Sequence, residues 1–290
     1  MYDRILVPTD GSEASEAAAE TALTLARRFD ATIHAVHVLD LEELPSEVDT
    51  ETRAELEARA ESLLATIADR ADDIGVSTAT EVIEATRPIH QAIVDYLDEN
   101  GIDLVVMGTH GRTGFHELVL GSTTERTLRL SPVPVLTVHE GMALDSEFDT
   151  ILVPTDGSEP AYAAADHGIE LASRTDAALH VLHVVDLTGV WADVDATAVL
   201  DALEEAGQRA VDDVVERASE ADLESVEASV SSGTPASGIV DYADDHDVDL
   251  IVMGTHGRTG LDRYLLGSVA EKIVRVSDIP VLALPATPEQ

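Results

Sequence analysis

Two long segments of this sequence each occur twice, with the same distance between the copies. Ile5-Leu6-Val7-Pro8-Thr9-Asp10-Gly11-Ser12-Glu13 recurs as Ile151 to Glu159, and Val106-Met107-Gly108-Thr109-His110-Gly111-Arg112-Thr113-Gly114 recurs as Val252 to Gly260. Gly121-Ser122 returns in the same way as Gly267-Ser268. A constant displacement across half of a 290-residue chain means two copies of one complete domain, with almost no net insertion between their motifs. The join falls between His139 and Phe148. The expected organisation is a first domain over 1–140, a linker over 141–148 and a second domain over 149–290.

Within each copy the hydrophobic period switches between strand and helix. Asp3 to Pro8 is a short apolar run, and Ser12 offers an N-cap to an alanine-rich stretch ending near Phe29. Ala31 to Leu39 is a second strand. Leu56, Ala60, Leu63, Leu64, Ile67 and Ala71 recur at helical spacing in a charged segment, which makes a helix with one buried face. Val76 to Glu84 reads as a strand, and Pro88 suits the first turn of a helix that stops at Gly101. Asp103 to Met107, a glycine-rich loop, a helix from about Ser122 to Leu130 and a strand over Val133 to Val138 complete the copy. The fold class is therefore α/β: two tandem doubly wound domains, each with a five-stranded parallel sheet and right-handed crossovers. Leu104-Val105-Val106-Met107 and Leu250-Ile251-Val252-Met253 are apolar without alternation, as strands covered on both faces must be. Ligands of such sheets sit beyond the carboxyl ends of the strands, where the strand order reverses, and both repeated segments fall there.

Composition narrows the function. With 57 acidic against 17 basic side chains, the formal charge is −40 with neutral histidine. Such a surface repels phosphates and anionic headgroups, so neither nucleic acid nor membrane is expected as a partner. Lys272 is the one lysine, and the combination of acid excess and lysine depletion points to a halophilic source whose saline cytoplasm screens self-repulsion. There is no cysteine, which excludes disulfides and thiolate chemistry. Met1 to Pro8 leads straight into a strand with no basic segment before a long apolar one, so no signal peptide is expected. Apolar runs such as Val181 to Val185 fall far short of the roughly 20 residues that span a bilayer. The expected location is the cytoplasm.

The loop from Gly108 through Gly121-Ser122 follows an apolar strand and ends at a helix start. Spaced glycines permit close backbone approach, and the first N–H groups of the helix are unpaired donors at its positive end. An anion, above all a phosphate chain, suits that place, with Ser122, Thr123 and Thr124 adding hydroxyls. Arg112, and Arg258 in the second copy, either add a charged fork, point to solvent or tie down the loop. Asp10 receives hydrogen bonds from a ribose or adenine, lies near a metal on the phosphates, or serves as the turn-forming residue before the N-cap.

The spacing Gly108, Gly111, Gly121-Ser122, repeated at Gly254, Gly257 and Gly267-Ser268, resembles the nucleotide-binding signature of the universal stress protein family. The opening Ile-Leu-Val-Pro-Thr-Asp-Gly-Ser, the His37-Val38 and His183-Val184 pairs, and Ser-Pro-Val-Pro-Val-Leu at residues 131 to 136 resemble the same family, over essentially the whole chain. The resemblance implies an adenine-nucleotide-binding domain of the adenine nucleotide alpha hydrolase-like type, often dimeric through its last strand, in a family where some members hold ATP and others do not; ATP, with magnesium or manganese carried on the phosphates, is the expected cofactor. By position, Pro8, Thr9, Asp10 and Val38 would take the adenine and ribose side of the first copy. Met107, Gly108, Gly111, Gly121, Ser122, Thr123 and Thr124 would surround the ribose and phosphates. The second copy would use Pro154, Thr155, Asp156, Val184, Met253, Gly254, Gly257, Gly267 and Ser268. It departs after that serine, where Val269-Ala270 replaces Thr123-Thr124, so the first copy is expected to grip phosphate better.

Rival nucleotide motifs are absent. The sequence contains no Gly-x-x-x-x-Gly-Lys-Ser/Thr, no dinucleotide fingerprint after the first strand and no Gly-x-Ser-x-Gly elbow. His34 and His37, like His180 and His183, lie three apart on a strand and point to opposite faces, so one metal does not take both. His110 and His256 sit in the glycine loops with no second catalytic group evident beside them. No catalytic and no metal-ligating residue is assigned. The leading reading is a stress-response nucleotide sensor. Slow ATP hydrolysis or nucleotidyl transfer, and a nucleotide-independent interaction scaffold, are the alternatives. Expected partners are the adenine nucleotide, an unidentified protein and a homodimer mate, with an internal pseudo-dimer formed through Val133 to Val138 and Ile279 to Leu284.

Overall fold

Each repeat begins with a strand that a serine converts into a helix. The structure, a computed structural model, describes residues 1–41, 50–110, 120–142, 144, 148–187, 196–257 and 266–285. Its contacts divide into a first unit, Met1–Ser146, and a second, Glu147–Gln290. In the first unit β1 (Arg4–Pro8) leads to α1 (Glu13–Phe29), whose N-cap Ser12 accepts from the Ser15 N–H at 3.3 Å. Asp30 ends the helix in the left-handed region at φ 56°. The chain continues through β2 (Thr32–Asp40), α2 (Thr50–Asp73), β3 (Thr78–Ala85), α3 (Ile89–Asn100), β4 (Leu104–Gly108), α4 (Ser122–Leu130) and β5 (Val135–Val138).

The described strands of this unit are parallel in the order β3-β2-β1-β4-β5. The order reverses between β1 and β4, and that crevice is where doubly wound sheets receive ligands. All of β4 is buried, as its unbroken apolar sequence requires of a strand covered on both faces. In α2 the stripe Ala60, Leu64, Ile67 and Ala71 is buried, while Leu56 and Leu63 stand half-buried at its edge.

The second unit repeats the plan with β6 (Thr150–Pro154), α5 (Glu159–Thr175), β7 (Ala178–Asp186), α6 (Ala196–Ala218), β8 (Val226–Gly233), α7 (Pro235–Asp245), β9 (Leu250–Gly254), α8 (Ser268–Val276) and β10 (Val281–Leu284). Its order is β8-β7-β6-β9-β10, again parallel. Asp103 and Asp249 play one role in the two units: each carboxylate accepts backbone N–H groups at the start of the neighbouring strand, from Asp3 at 3.0 Å and from Asp149 at 2.8 Å.

Local details differ from the sequence reading, among them the start of β3 at Thr78 and not Val76. The strand expected from Val133 begins at Val135, because Pro134 has no N–H to give the ladder and the Ser131 hydroxyl instead bonds the Val133 carbonyl at 2.6 Å. Pro88 stands at the N-cap of α3 and not inside its first turn. Leu144, within the stretch read as linker, is 3% exposed and its N–H donates to Thr21 Oγ1 of α1 at 3.1 Å. Among the described residues no helix is long and apolar enough to cross a membrane.

Candidate functional site

The carboxyl end of β1 turns into α1 through Thr9-Asp10-Gly11-Ser12, a turn held by its own hydrogen bonds. The Thr9 N–H donates to the Val36 carbonyl at 2.9 Å, and the Thr9 carbonyl lies 2.7 Å from His37 Nδ1. Thr9 Oγ1 accepts from the Gly11 N–H at 3.2 Å, and Asp10 Oδ1 from the Ser12 N–H at 3.0 Å. The second unit copies this: Thr155 N–H to Leu182 at 2.9 Å, His183 Nδ1 beside the Thr155 carbonyl at 2.8 Å, Gly157 N–H to Thr155 Oγ1 at 3.2 Å and Ser158 N–H to Asp156 Oδ1 at 3.0 Å. The aspartate thus builds the turn that precedes the N-cap, as an Asp-Gly pair there should.

The end of the fourth strand meets that turn. A β-carbon on Gly108 would stand 2.7 Å from the Ala14 carbonyl carbon, and one on Gly254 would stand 2.9 Å from the Pro160 carbonyl oxygen. These strand-end glycines let the first helix of each unit lie directly on the fourth strand, a packing role beside any contact with ligand. The chain then leaves and returns: the Gly121 N–H donates to the Thr109 carbonyl at 2.8 Å, as Gly267 does to Thr255. Gly111, Arg112 and Arg258, named from the sequence, lie outside the described residues.

After this closure α4 and α8 begin without a side-chain cap. The N–H groups of Ser122, Thr123 and Thr124, and of Ser268, Val269 and Ala270, have no acceptor among the described residues. Three converging donors at the positive end of a helix form an anion cradle. The threonines do not all serve it. Thr124 is buried and its hydroxyl donates to the Gly108 carbonyl at 2.7 Å, so it ties the helix to β4 and is spent as a phosphate donor. Of the two hydroxyls that the second copy lacks, this leaves only Thr123, half-buried, opposite Val269 as a difference at the cradle.

In the second unit these parts enclose a cavity of about 380 Å³ at the carboxyl ends of β6, β7 and β9. Pro154, Thr155, Asp156, Val184, Met253, Gly254, Gly257, Gly267 and Ser268, each singled out from the sequence, are in its wall. The volume falls in the range of small-molecule sites. Leu203 of α6 and Pro235 and Ile239 of α7 close it with apolar side chains, and His183, Asp186 and His256 add polar ones. The sequence reading missed the helix residues. Their signal was position, since α6 and α7 both start at the same sheet edge from which β7 and β8 emerge. In the first unit Pro8, Thr9, Asp10, Val38, Met107, Gly108, Gly121, Ser122 and Thr123 hold the matching places on β1, β2, β4 and α4, and Ser12 Oγ reaches the His110 carbonyl at 3.5 Å across the same two loops.

The paired histidines of β2 and β7 separate as the strand period requires. His34 Nδ1 lies 3.1 Å from Tyr96 Oη and His180 Nδ1 lies 3.1 Å from Tyr242 Oη, while His37 and His183 hold the threonine carbonyls. Among the described residues no three His, Asp or Glu side chains converge to hold a metal. His110 Nδ1 and His256 Nδ1 bond the hydroxyls of Thr109 and Thr255 at 3.0 and 2.9 Å, and each Nε2 is buried without a partner. Burial, then the neighbouring His139, pushes the His110 pKa down.

The family model described as the universal stress protein family matches residues 1–139 and again 147–285. A universal stress protein of Methanocaldococcus jannaschii is 39% identical over 140 residues, covering 47% of this chain and 82% of that protein. One from Mycolicibacterium smegmatis is 27% identical over 300 residues, covering 97% and 96% of the two chains. Among solved structures, a universal stress protein from Archaeoglobus fulgidus aligns with a TM-score of 0.73 and 27% identity over 97% of each chain. Matched twice along nearly its whole length, and with the fold of a solved member, the chain belongs to the universal stress protein family as a tandem of two such domains.

Proposed function

We propose that the chain is an adenine-nucleotide-binding module, a sensor whose occupancy biases the conformation it presents to a protein partner. The observation that carries this reading is the cavity of the second unit, which has an anion cradle at one end and apolar walls at the other. A nucleotide has the same polarity. Its phosphates fit the N–H groups of Ser268, Val269 and Ala270. Its ribose hydroxyls, which donate, fit the Asp156 carboxylate, and its base fits Val184, Leu203 and Ile239. The residues present suit ATP with a divalent cation carried on its phosphates, since the protein offers donors to the phosphates and no metal-binding cluster of its own among the described residues. The matching residues of the first unit support a second site there. A ligand of this kind acts through its unequal affinity for two states of the protein.

Thermal unfolding in molar KCl with Mg²⁺, with and without ATP, ADP, AMP or GTP, tests this, together with mass spectrometry of any nucleotide that co-purifies. Ligand at about 100 times its dissociation constant stabilises by roughly 2.7 kcal/mol. An adenine-selective rise in the midpoint supports the sensor. A folded protein indifferent to every nucleotide would turn the reading to an interaction scaffold.

A further inference from the structure

Among the polar side chains of the cavity wall, His183 gives one ring nitrogen to the turn and keeps the other. His183 is 7% exposed and lines the cavity, three residues before the end of β7. Its Nδ1 is 2.8 Å from the Thr155 carbonyl. A carbonyl oxygen only accepts, so Nδ1 carries the proton, and in the neutral ring Nε2 is left as a bare acceptor. That Nε2 has no partner among the described residues. The ring stands against α6 where residue 207 is glycine, and a β-carbon there would come within 2.4 Å of the histidine Cδ2. The position and tautomer of this acceptor are therefore fixed from two sides.

The strand order says what reaches it. From α8, which follows β9, a nucleotide lying across the strand ends passes over β6 and arrives at β7, two strand spacings or about 10 Å away. Its sugar then lies near Asp156 and its base near His183 and Val184. We propose that His183 selects the base, its Nε2 accepting a hydrogen bond from the exocyclic amino group of a 6-aminopurine. The assignment rests on the nucleotide reading above and adds a specificity-determining residue to it.

The test uses the full chain carrying Gly121→Val, which fills the helix entrance of the first unit so that calorimetry reads one site. Two ligands are compared: ATP and purine riboside triphosphate, which lacks the 6-amino group and is otherwise the same. With His183 present, ATP is expected to bind about fivefold tighter, the effect of one neutral hydrogen bond. In His183→Asn the amide N–H takes over the Thr155 carbonyl and nothing reaches the Nε2 position, so the two ligands are expected to bind alike. Equal binding to the chain that retains His183 overturns the assignment without any reliance on the variant's folding, as does a preference that survives in His183→Asn. Failure of both ligands to bind overturns the nucleotide reading and this one together, and neither of the other results can be mistaken for it.

Discussion

Asp156 Oδ2 stands 2.6 Å from the point that a β-carbon on residue 257 would occupy, so the first and fourth loops of the second unit meet only because that residue is Gly257. Gly257→Ala therefore pushes the carboxylate out of place without touching the core. A displaced charged hydrogen bond is worth about 1.5–3 kcal/mol, so ATP affinity in the second unit is expected to fall about tenfold or more. Calorimetric titration beside a thermal melt checks this, and a lost midpoint with unchanged affinity would contradict it.

Gly108→Ala and Gly254→Ala meet backbone instead of a movable side chain, at Ala14 and Pro160. Each is expected to destabilise by about 1–3 kcal/mol, as overpacking does. Chemical denaturation in high salt reads the shift, and a neutral result would show that the first helix can slide on the fourth strand.

Thr124→Ala separates the structural from the ligand role of the first unit's hydroxyls. The change leaves the buried Gly108 carbonyl without the Thr124 donor, at a cost of about 1–3 kcal/mol of stability. Nucleotide affinity is expected to stay the same, whereas Thr123→Val is expected to weaken binding with the midpoint unmoved. The opposite assignment of effects would mean that the helix turns when ligand arrives.

Acid is expected to destabilise the fold through its histidines. Burial lowers the pKa of His34, with Arg4 adding to it, and burial lowers that of His90, with Arg126 adding to it. His180 is also lowered by burial, with Glu227 opposing and His246 adding. A base with a depressed folded-state pKa binds its proton later than the unfolded chain does. The stability these groups contribute is thus fully present above about pH 6.5 and is lost as pH falls below it toward the folded values. Denaturation midpoints at pH 7.5 and pH 5 in one high salt concentration test the sign, and His180→Gln should flatten the slope in part.

Salt is expected to act in the same assay. With a formal charge of −40, lowering KCl from about 2 M to 0.1 M lengthens the screening distance from roughly 3 Å or less to about 10 Å and restores the self-repulsion. Unfolding in dilute buffer, followed by circular dichroism, is the expected outcome. Full stability there would refute a halophilic origin of the acidic surface.

Much of this was legible because the signals are local. Gly121 before Ser122, and the Ser131-Pro132 stop after Leu130, fix both ends of α4. Ser12 and Ser158 mark the starts of α1 and α5, and the two pairs of repeated segments mark the crevice. What escaped depends on rotation and on partners distant in sequence. Three consecutive hydroxyls on a helix cannot face one ligand, and Thr124, four residues before the buried Leu128, belongs to the core face. The cavity walls Leu203 and Ile239 come from helices whose apolar stripes look like ordinary core, and only the strand order brings them to the site.

The bond between Gly121 and Thr109, repeated between Gly267 and Thr255, makes the intervening stretch a closed detour in the chain. Entry and exit are clamped together, so this bond ties the end of the strand before to the start of the helix after. The closure penalty rises by only about 0.6 kcal/mol for each doubling of length. A change of length between the two clamped residues in one copy therefore costs little in closure free energy, provided that Gly257 and its counterpart keep their places. The two halves of one polypeptide can in this way acquire different clients without either losing its architecture.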